Sequence, residues 1–179
     1  MFTKEQLYAA YDRLQDSNVS AEEVYQGLVS TATSDLDELM QEIYTEVVLV
    51  EDVPMETVQK YFTKLGNFVY FFGERLEKIG IQADISGHSM KEVYNSTYND
   101  NLIGADGKKR TANELVAIAE AASMSESVLN DLYLRAYKTV KFKIESAQSM
   151  INTLSKVFSK KMQEQSFSSQ FDNSRLLVD

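Results

Sequence analysis

The stretch VQKYFTKLGNFVYFFGERLEKI, residues 58–79, decides the fold. Val58 is followed by Phe62, Leu65, Val69, Phe72, Leu76 and Ile79 at alternating steps of three and four residues, the period that gathers apolar side chains on one face of a helix. Such a stripe needs a partner helix, because an isolated helix is marginal in water. Residues 125–165 can supply one, with Leu129, Leu132, Ala136, Val140, Ile144, Ala147, Ile151, Leu154 and Phe158 along one side. Steps of four at Ala136, Val140 and Ile144 make that second stripe drift rather than hold a strict coiled-coil seam. The expectation is an all-α, elongated helical bundle built on a long helical hairpin, with the ladder from Phe62 to Ile79 as its core and self-association seam.

Punctuation along the chain divides it into parts. Asp52-Val53-Pro54 starts the ladder helix, since proline fits a first helical turn, and Gly80 is read as its end. Gly66 and Gly73 fall inside that helix, where they allow either close helix packing or a bend. Residues 1–52 read as a small acidic module. In it, helices are capped at Thr3-Lys4-Glu5-Gln6 and Ser20-Ala21-Glu22-Glu23, and a third helix runs over 34–50. Residues 81–110 read as a looser polar insertion with a short helix from Ser89 to Tyr98 and a turn at Gly104-Ala105-Asp106-Gly107. Thr111-Ala112-Asn113-Glu114 caps the next helix, and the hairpin region 53–165 ends in a flexible tail, 166–179. In that tail Leu176-Leu177-Val178 can either dock on a partner or pack on its own domain.

Composition agrees with a helical protein: 44% hydrophobic residues, a single proline and seven glycines in 179 residues leave few helix breakers. The absence of cysteine excludes a disulfide framework, a thiolate metal site and a cysteine nucleophile. Met1-Phe2-Thr3-Lys4-Glu5-Gln6 lacks the apolar core of a secretion signal, and apolar runs such as 47–50 are too short to span a bilayer. The chain is expected to be soluble and cytoplasmic. Residues 1–56 carry two basic side chains against thirteen acidic, a net of −11, while 57–179 carry sixteen against fourteen, a net of +2. Such asymmetry fits a nucleic-acid-facing region beside an acidic one, and also two sets of solvated helix faces.

Catalytic motifs fail on residue type or spacing. His88 is the sole histidine, set between Gly87 and Ser89 in what reads as an exposed loop. The stretch 99–110 imitates a calcium loop at Asn99, Asn101 and Gly104, but Ile103 and Arg110 stand where oxygen ligands are needed. Gly104 and Gly107 before Lys108 lack P-loop spacing. The Glu-x-x-His signature of di-metal bundles is missing. No enzyme, metal or cofactor is expected.

Binding is better supported. Lys108, Lys109 and Arg110 follow a turn and precede a helix N-terminus, which joins mobile cations to anion-attracting amides. Tyr94 and Tyr98 lie upstream, and Tyr133, Tyr137 and Phe142 interleave with Arg135, Lys138, Lys141 and Lys143. Stacking surfaces among cations suit single-stranded nucleic acid, although aromatics at helical spacing also serve as core.

In this order of parts the chain resembles the UvsY family of recombination mediators from large tailed phages. The likeness covers roughly 61–165 and is carried by Phe72-Gly73-Glu74-Arg75-Leu76-Glu77-Lys78, Lys108-Lys109-Arg110-Thr111 and Tyr133-Leu134-Arg135-Ala136-Tyr137-Lys138. The resemblance implies a non-enzymatic homo-oligomer that binds single-stranded DNA through those basic residues. Such a protein helps load a recombinase onto strands covered by single-strand-binding protein. The acidic residues 1–56 depart from it, since negative charge weakens attraction to phosphate. The alternative is a phage structural or adaptor subunit, or an inhibitor, acting only through protein contacts.

Overall fold

The computed structural model describes residues 21–175, with side chains as far as Phe167. Among the described residues the chain is all-α: α1 (Ala21–Ile43) runs into a π-helical turn (Tyr44–Val48) and is followed by α2 (Met55–Asp100), α3 (Ala112–Ala122) and α4 (Met124–Arg175). The helix expected at Thr3, the capping hydroxyl of Ser20 and the Leu176-Leu177-Val178 cluster lie outside the described residues. Among the described residues no helix is long and apolar enough to cross a membrane.

Two compact units share these helices. Described residues 33–74 and 142–175 form one, and 21–32 and 75–141 form the other, so the division cuts across α1, α2 and α4. In the first unit, Leu36, Leu39 and Ile43 of α1 and Val47 of the π-helical turn meet Val58, Tyr61, Leu65 and Phe72 of α2 and Ala147 and Leu154 of α4. Each fully buried Leu or Phe there contributes roughly 1.5–3 kcal/mol. The ladder expected from the sequence needs one correction: Phe62 is 39% exposed, and Tyr61, 1% exposed, occupies the core in its place. Leu65, Phe72 and Ile79 are buried as expected, while Val69 and Leu76 are half-buried. The inward positions 58, 65, 72 and 79 keep the seven-residue repeat of that ladder, and Tyr61, three residues after Val58, takes the flank in place of Phe62, four after it. Burial first, then a hydrogen bond to Glu46 and the charges of Glu46 and Glu42, pushes the Tyr61 phenol up to about 12.

Polar pairs at the rim tie the same unit together. Lys143 donates from Nζ to Asp37 and to Oγ1 of buried Thr33, and Thr33 donates in turn to Asp37 Oδ2 at 3.0 Å. Lys64 bridges to Glu42 and Lys161 to Asp52, each at 3.0 Å. Thr33 and Ser34 therefore sit mid-helix, and the separate helices expected around Ser20 and Ser34 are one continuous α1.

In the second unit α2 does not stop at Gly80. It continues to Asp100, so His88 and the expected short helix from Ser89 are parts of one helix rather than of a polar insertion. The reason lies in packing. A Cβ on Gly80 would stand 3.2 Å from the Tyr137 ring, and one on Gly87 would stand 3.2 Å from Asn130 Oδ1. These two glycines let α4 approach α2 closely. Gly66 and Gly73 do not, since among the described residues nothing lies within 4 Å of either Cβ position. Tyr25 and Thr139 share a 2.7 Å hydrogen bond between α1 and α4, and Arg75 donates to the Ala32 carbonyl at 3.2 Å. The last helix also outruns its expected end at Gln165, so 166–175 continue α4 rather than forming a tail.

Candidate nucleic-acid interface

The expected basic residues fall into three settings. Lys108, Lys109 and Arg110 belong to the tight loop between α2 and α3. Asn101 closes α2, its Nδ2 donating to the Thr97 carbonyl at 2.9 Å. The chain then turns back on itself: Gly104 N–H donates to Lys108 O at 2.8 Å, Arg110 N–H donates to Leu102 O at 3.1 Å, and Ile103 and Lys109 form an isolated antiparallel bridge. Gly107 makes the reversal with φ of +75°, a left-handed conformation that costs glycine little. Asp106 Oδ1 accepts the Lys108 backbone N–H at 3.1 Å.

Within this loop the three cations have different fates. The Lys108 side chain is 86% exposed, with the Asp106 carboxylate 3.9 Å away, and Lys109 is exposed. Arg110 is half-buried and donates to both oxygens of Asn101, at 3.0 and 2.8 Å. It holds the loop shut. Thr111 then caps α3 through a reciprocal pair in which Thr111 N–H donates to Glu114 Oε2 at 2.8 Å and Glu114 N–H donates to Thr111 Oγ1 at 3.4 Å. The Thr111 backbone and then its hydroxyl hold the Glu114 carboxyl below the usual carboxylate range, with Arg110 adding to the effect.

Just before the loop, Tyr94 and Tyr98 stack on successive turns of α2, ring centroids 6.4 Å apart and planes 21° apart, both half-buried. Beside them a groove of about 590 Å³ is lined by Met90, Lys91, Tyr94 and Asn95 of α2, Glu120 of α3, Ser123, and Met124, Ser127 and Val128 of α4. Its mouth mixes one cation with one carboxylate, so the cationic weight of the region rests on Lys108 and Lys109.

Arg135, Lys138 and Lys141 are exposed along α4. Arg135 and Lys138 line a second groove with Ala21, Glu22, Tyr25, Leu132 and Thr139, where Glu22 offsets part of their charge. Tyr133 is buried and Tyr137 lies against Gly80, so neither offers a free face, whereas Phe142 is 68% exposed. Lys143 stands apart because its ammonium is engaged by Asp37 and Thr33. Gly80 lies level with Tyr137, and Asp100 follows twenty residues later on α2. At 1.5 Å per residue the loop and the Arg135–Lys138 pair are therefore about 30 Å apart along α2, so the fold does not gather the expected cations into one patch.

Two exposed aromatics escaped the sequence reading. Tyr70 and Phe71 are 79% and 62% exposed on α2, their rings edge to face with centroids 5.4 Å apart. Their signal was their position opposite the inward ladder of Tyr61, Leu65 and Phe72. Among the described residues, no three His, Asp or Glu side chains gather as metal ligands. Comparison of the chain with protein-family models, characterised proteins and solved structures finds no match.

Proposed function

We propose that the protein is a non-enzymatic accessory protein of the recombination-mediator kind. It binds single-stranded DNA as a homo-oligomer in the host cytoplasm and assists recombinase loading on strands held by single-strand-binding protein. The observation that carries this reading is the arrangement at the end of α2. Stacked Tyr94 and Tyr98 are followed, one turn past Asn101, by a hydrogen-bonded loop that presents the ammonium groups of Lys108 and Lys109 to solvent. Aromatic faces beside mobile cations are what a strand without sequence preference needs: stacking for bases and charge for phosphates. Arg135, Lys138 and Lys141 form a separate exposed strip that extends the contact. Arg110 and Lys143 serve the fold.

Fluorescence anisotropy with labelled single-stranded and duplex DNA, at low and near-physiological salt, tests this reading. The expected result is a salt-sensitive preference for the single strand, abolished in Lys108→Glu/Lys109→Glu with helicity intact. No binding at low salt overturns it.

A second reading is favoured by Tyr70 and Phe71, whose exposure suits protein contact rather than a monomer surface. On it the chain is a phage structural or adaptor subunit, or an inhibitor, acting through protein contacts alone, and the double lysine variant keeps full activity.

A further inference from the structure

We propose that the groove beside Tyr94, lined by α2, α3 and the start of α4, holds an unpaired nucleobase of a strand whose phosphates lie on Lys108 and Lys109. The inference rests on the strand-binding reading above and deepens it, because it gives the bases a site of their own.

The groove is preformed. Its volume of about 590 Å³ lies in the range of small-molecule sites. Ser123 fixes the turn between α3 and α4: it is buried, its hydroxyl donates to the Ala119 carbonyl at 2.9 Å, and its carbonyl accepts the Ser127 N–H at 2.9 Å. That turn holds Met124, Ser127 and Val128 on one wall, while α2 brings Met90, Tyr94 and Asn95 to the other. Met90, Tyr94 and Val128 are half-buried, and Met124 is 63% exposed. Aromatic and thioether surfaces of this kind suit a flat ring.

The polar groups of the walls favour a base over other occupants. Lys91 donates, Glu120 accepts, and Asn95 and Ser127 do both. The exposed edges of an unpaired base present the same mixture in return. One cation against one carboxylate leaves the groove without net charge, so it does not compete with Lys108 and Lys109 for phosphate. An apolar peptide side chain would cover Met90 and Val128 but would leave Asn95, Glu120 and Ser127 facing hydrocarbon, and unmet polar groups cost affinity.

Reach joins the groove to the loop. Tyr94 both lines the groove and stacks with Tyr98. From Tyr94 to Asn101, where Arg110 fastens the loop, α2 covers about 10 Å along its axis. A strand crosses that distance in about three nucleotides at a stacked spacing of roughly 3.4 Å. One strand can therefore set a phosphate at Lys109 and a base in the groove at the same time.

Fluorescence anisotropy of the full chain with two labelled strands of equal length, one of mixed sequence and one abasic throughout, tests the proposal. Both strands carry the same phosphates. The native chain is expected to bind the base-bearing strand about tenfold more tightly, within the range for one stacked base. Ser127→Phe sets a ring in the groove and is expected to abolish that advantage while leaving affinity for the abasic strand unchanged. Asn95→Leu, at an exposed position of α2 where leucine favours helix, is expected to reduce the advantage and covers the case in which the larger substitution disturbs the turn. Photocrosslinking of the native chain to a strand bearing 5-iodouracil is expected to label Tyr94 or Met124. Equal native affinity for the two strands, an advantage that survives both substitutions, or crosslinks confined to residues outside the groove overturns the proposal and leaves the reading of the cationic loop standing. Native binding to neither strand overturns both.

Discussion

Arg110 donates from a single guanidinium nitrogen to two oxygens of Asn101, its backbone carbonyl at 3.0 Å and its side-chain oxygen at 2.8 Å. This contact fastens the end of the loop to the end of α2, and it removes Arg110 from the set of cations free to meet phosphate. Arg110→Ala is expected to lower stability by about 1.5–3 kcal/mol, the range for hydrogen bonds to a charged group. Arg110→Lys should recover only part of that loss, because its ammonium is a strongly hydrated point charge on a flexible stem rather than a nitrogen held in a rigid planar group. Lys109→Ala should fall within about 0.5 kcal/mol of the native protein. Urea unfolding of the three variants checks the ranking, and equal losses for Arg110→Ala and Lys109→Ala would refute it.

The inward register of α2 can be tested with two phenylalanines ten residues apart. Phe72→Ala removes a ring that is 1% exposed and is expected to cost about 3–5 kcal/mol. Phe62→Ala removes one that is 39% exposed and should cost less than about 1 kcal/mol. The reverse order in chemical denaturation would restore the heptad register and displace Tyr61 from the core.

Tyr61 makes the unit of 33–74 and 142–175 sensitive to alkali. Its phenol is raised from 10.0 to about 12 in the folded chain, so between those values the unfolded chain loses a proton that the folded chain keeps. Stability is fully present below pH 10 and falls as pH rises toward 12. Tyr61→Phe is expected to flatten that fall, measured as unfolding free energy against pH. A slope unchanged by the substitution would assign it to other tyrosines.

At the start of α3 the sign is opposite. The Glu114 carboxyl is lowered in the folded chain, chiefly by donation from the Thr111 backbone and then from its hydroxyl. Its contribution is present above the ordinary carboxylate range and lost as pH falls through the depressed folded value. Thr111→Ala should cost about 1 kcal/mol at neutral pH. Glu114→Gln should remove the acid-dependent part of α3 protection, followed by hydrogen exchange of the first α3 amides between neutral pH and pH 3. Identical acid profiles for Glu114→Gln and the native chain would contradict the assignment.

Lys143 and Asp37 are the remaining pair with a sharp expectation. Both side chains are partly exposed, so a double-mutant cycle of Lys143→Ala and Asp37→Ala should return a coupling of about 0.5–1 kcal/mol. Lys143→Ala should leave strand binding unchanged, whereas Lys138→Ala weakens it. A strand-binding loss at Lys143 equal to that at Lys138 would return it to the interface.

Much of the architecture was legible because helix periodicity is local. The inward positions Leu65, Phe72 and Ile79 on α2 and the α4 stripe from Leu129 to Leu154 recur at spacings that no other secondary structure satisfies. The Thr111–Glu114 cap was readable for the same reason, since all its atoms lie within one turn. Phe62 was misplaced because positions three and four residues after Val58 both flank the inward face, and only the neighbours packed on that face decide that Tyr61 rather than Phe62 turns in. Gly80 was misread because glycine has two uses, ending a helix or admitting a neighbour, and only the presence of Tyr137 decides between them.

What the sequence by itself determined is therefore the helical class, the apolar faces and the cap, all consequences of residue type at fixed spacing along one chain. Tertiary structure decided which cations are free. Lys143 is engaged by Asp37, 106 residues away in sequence, and Arg110 by Asn101 across a loop reversal, while the loop and the α4 strip lie about 30 Å apart along α2. Electrostatic partnership depends on distance through space, and residue spacing along a chain does not encode that until the chain has folded back upon itself.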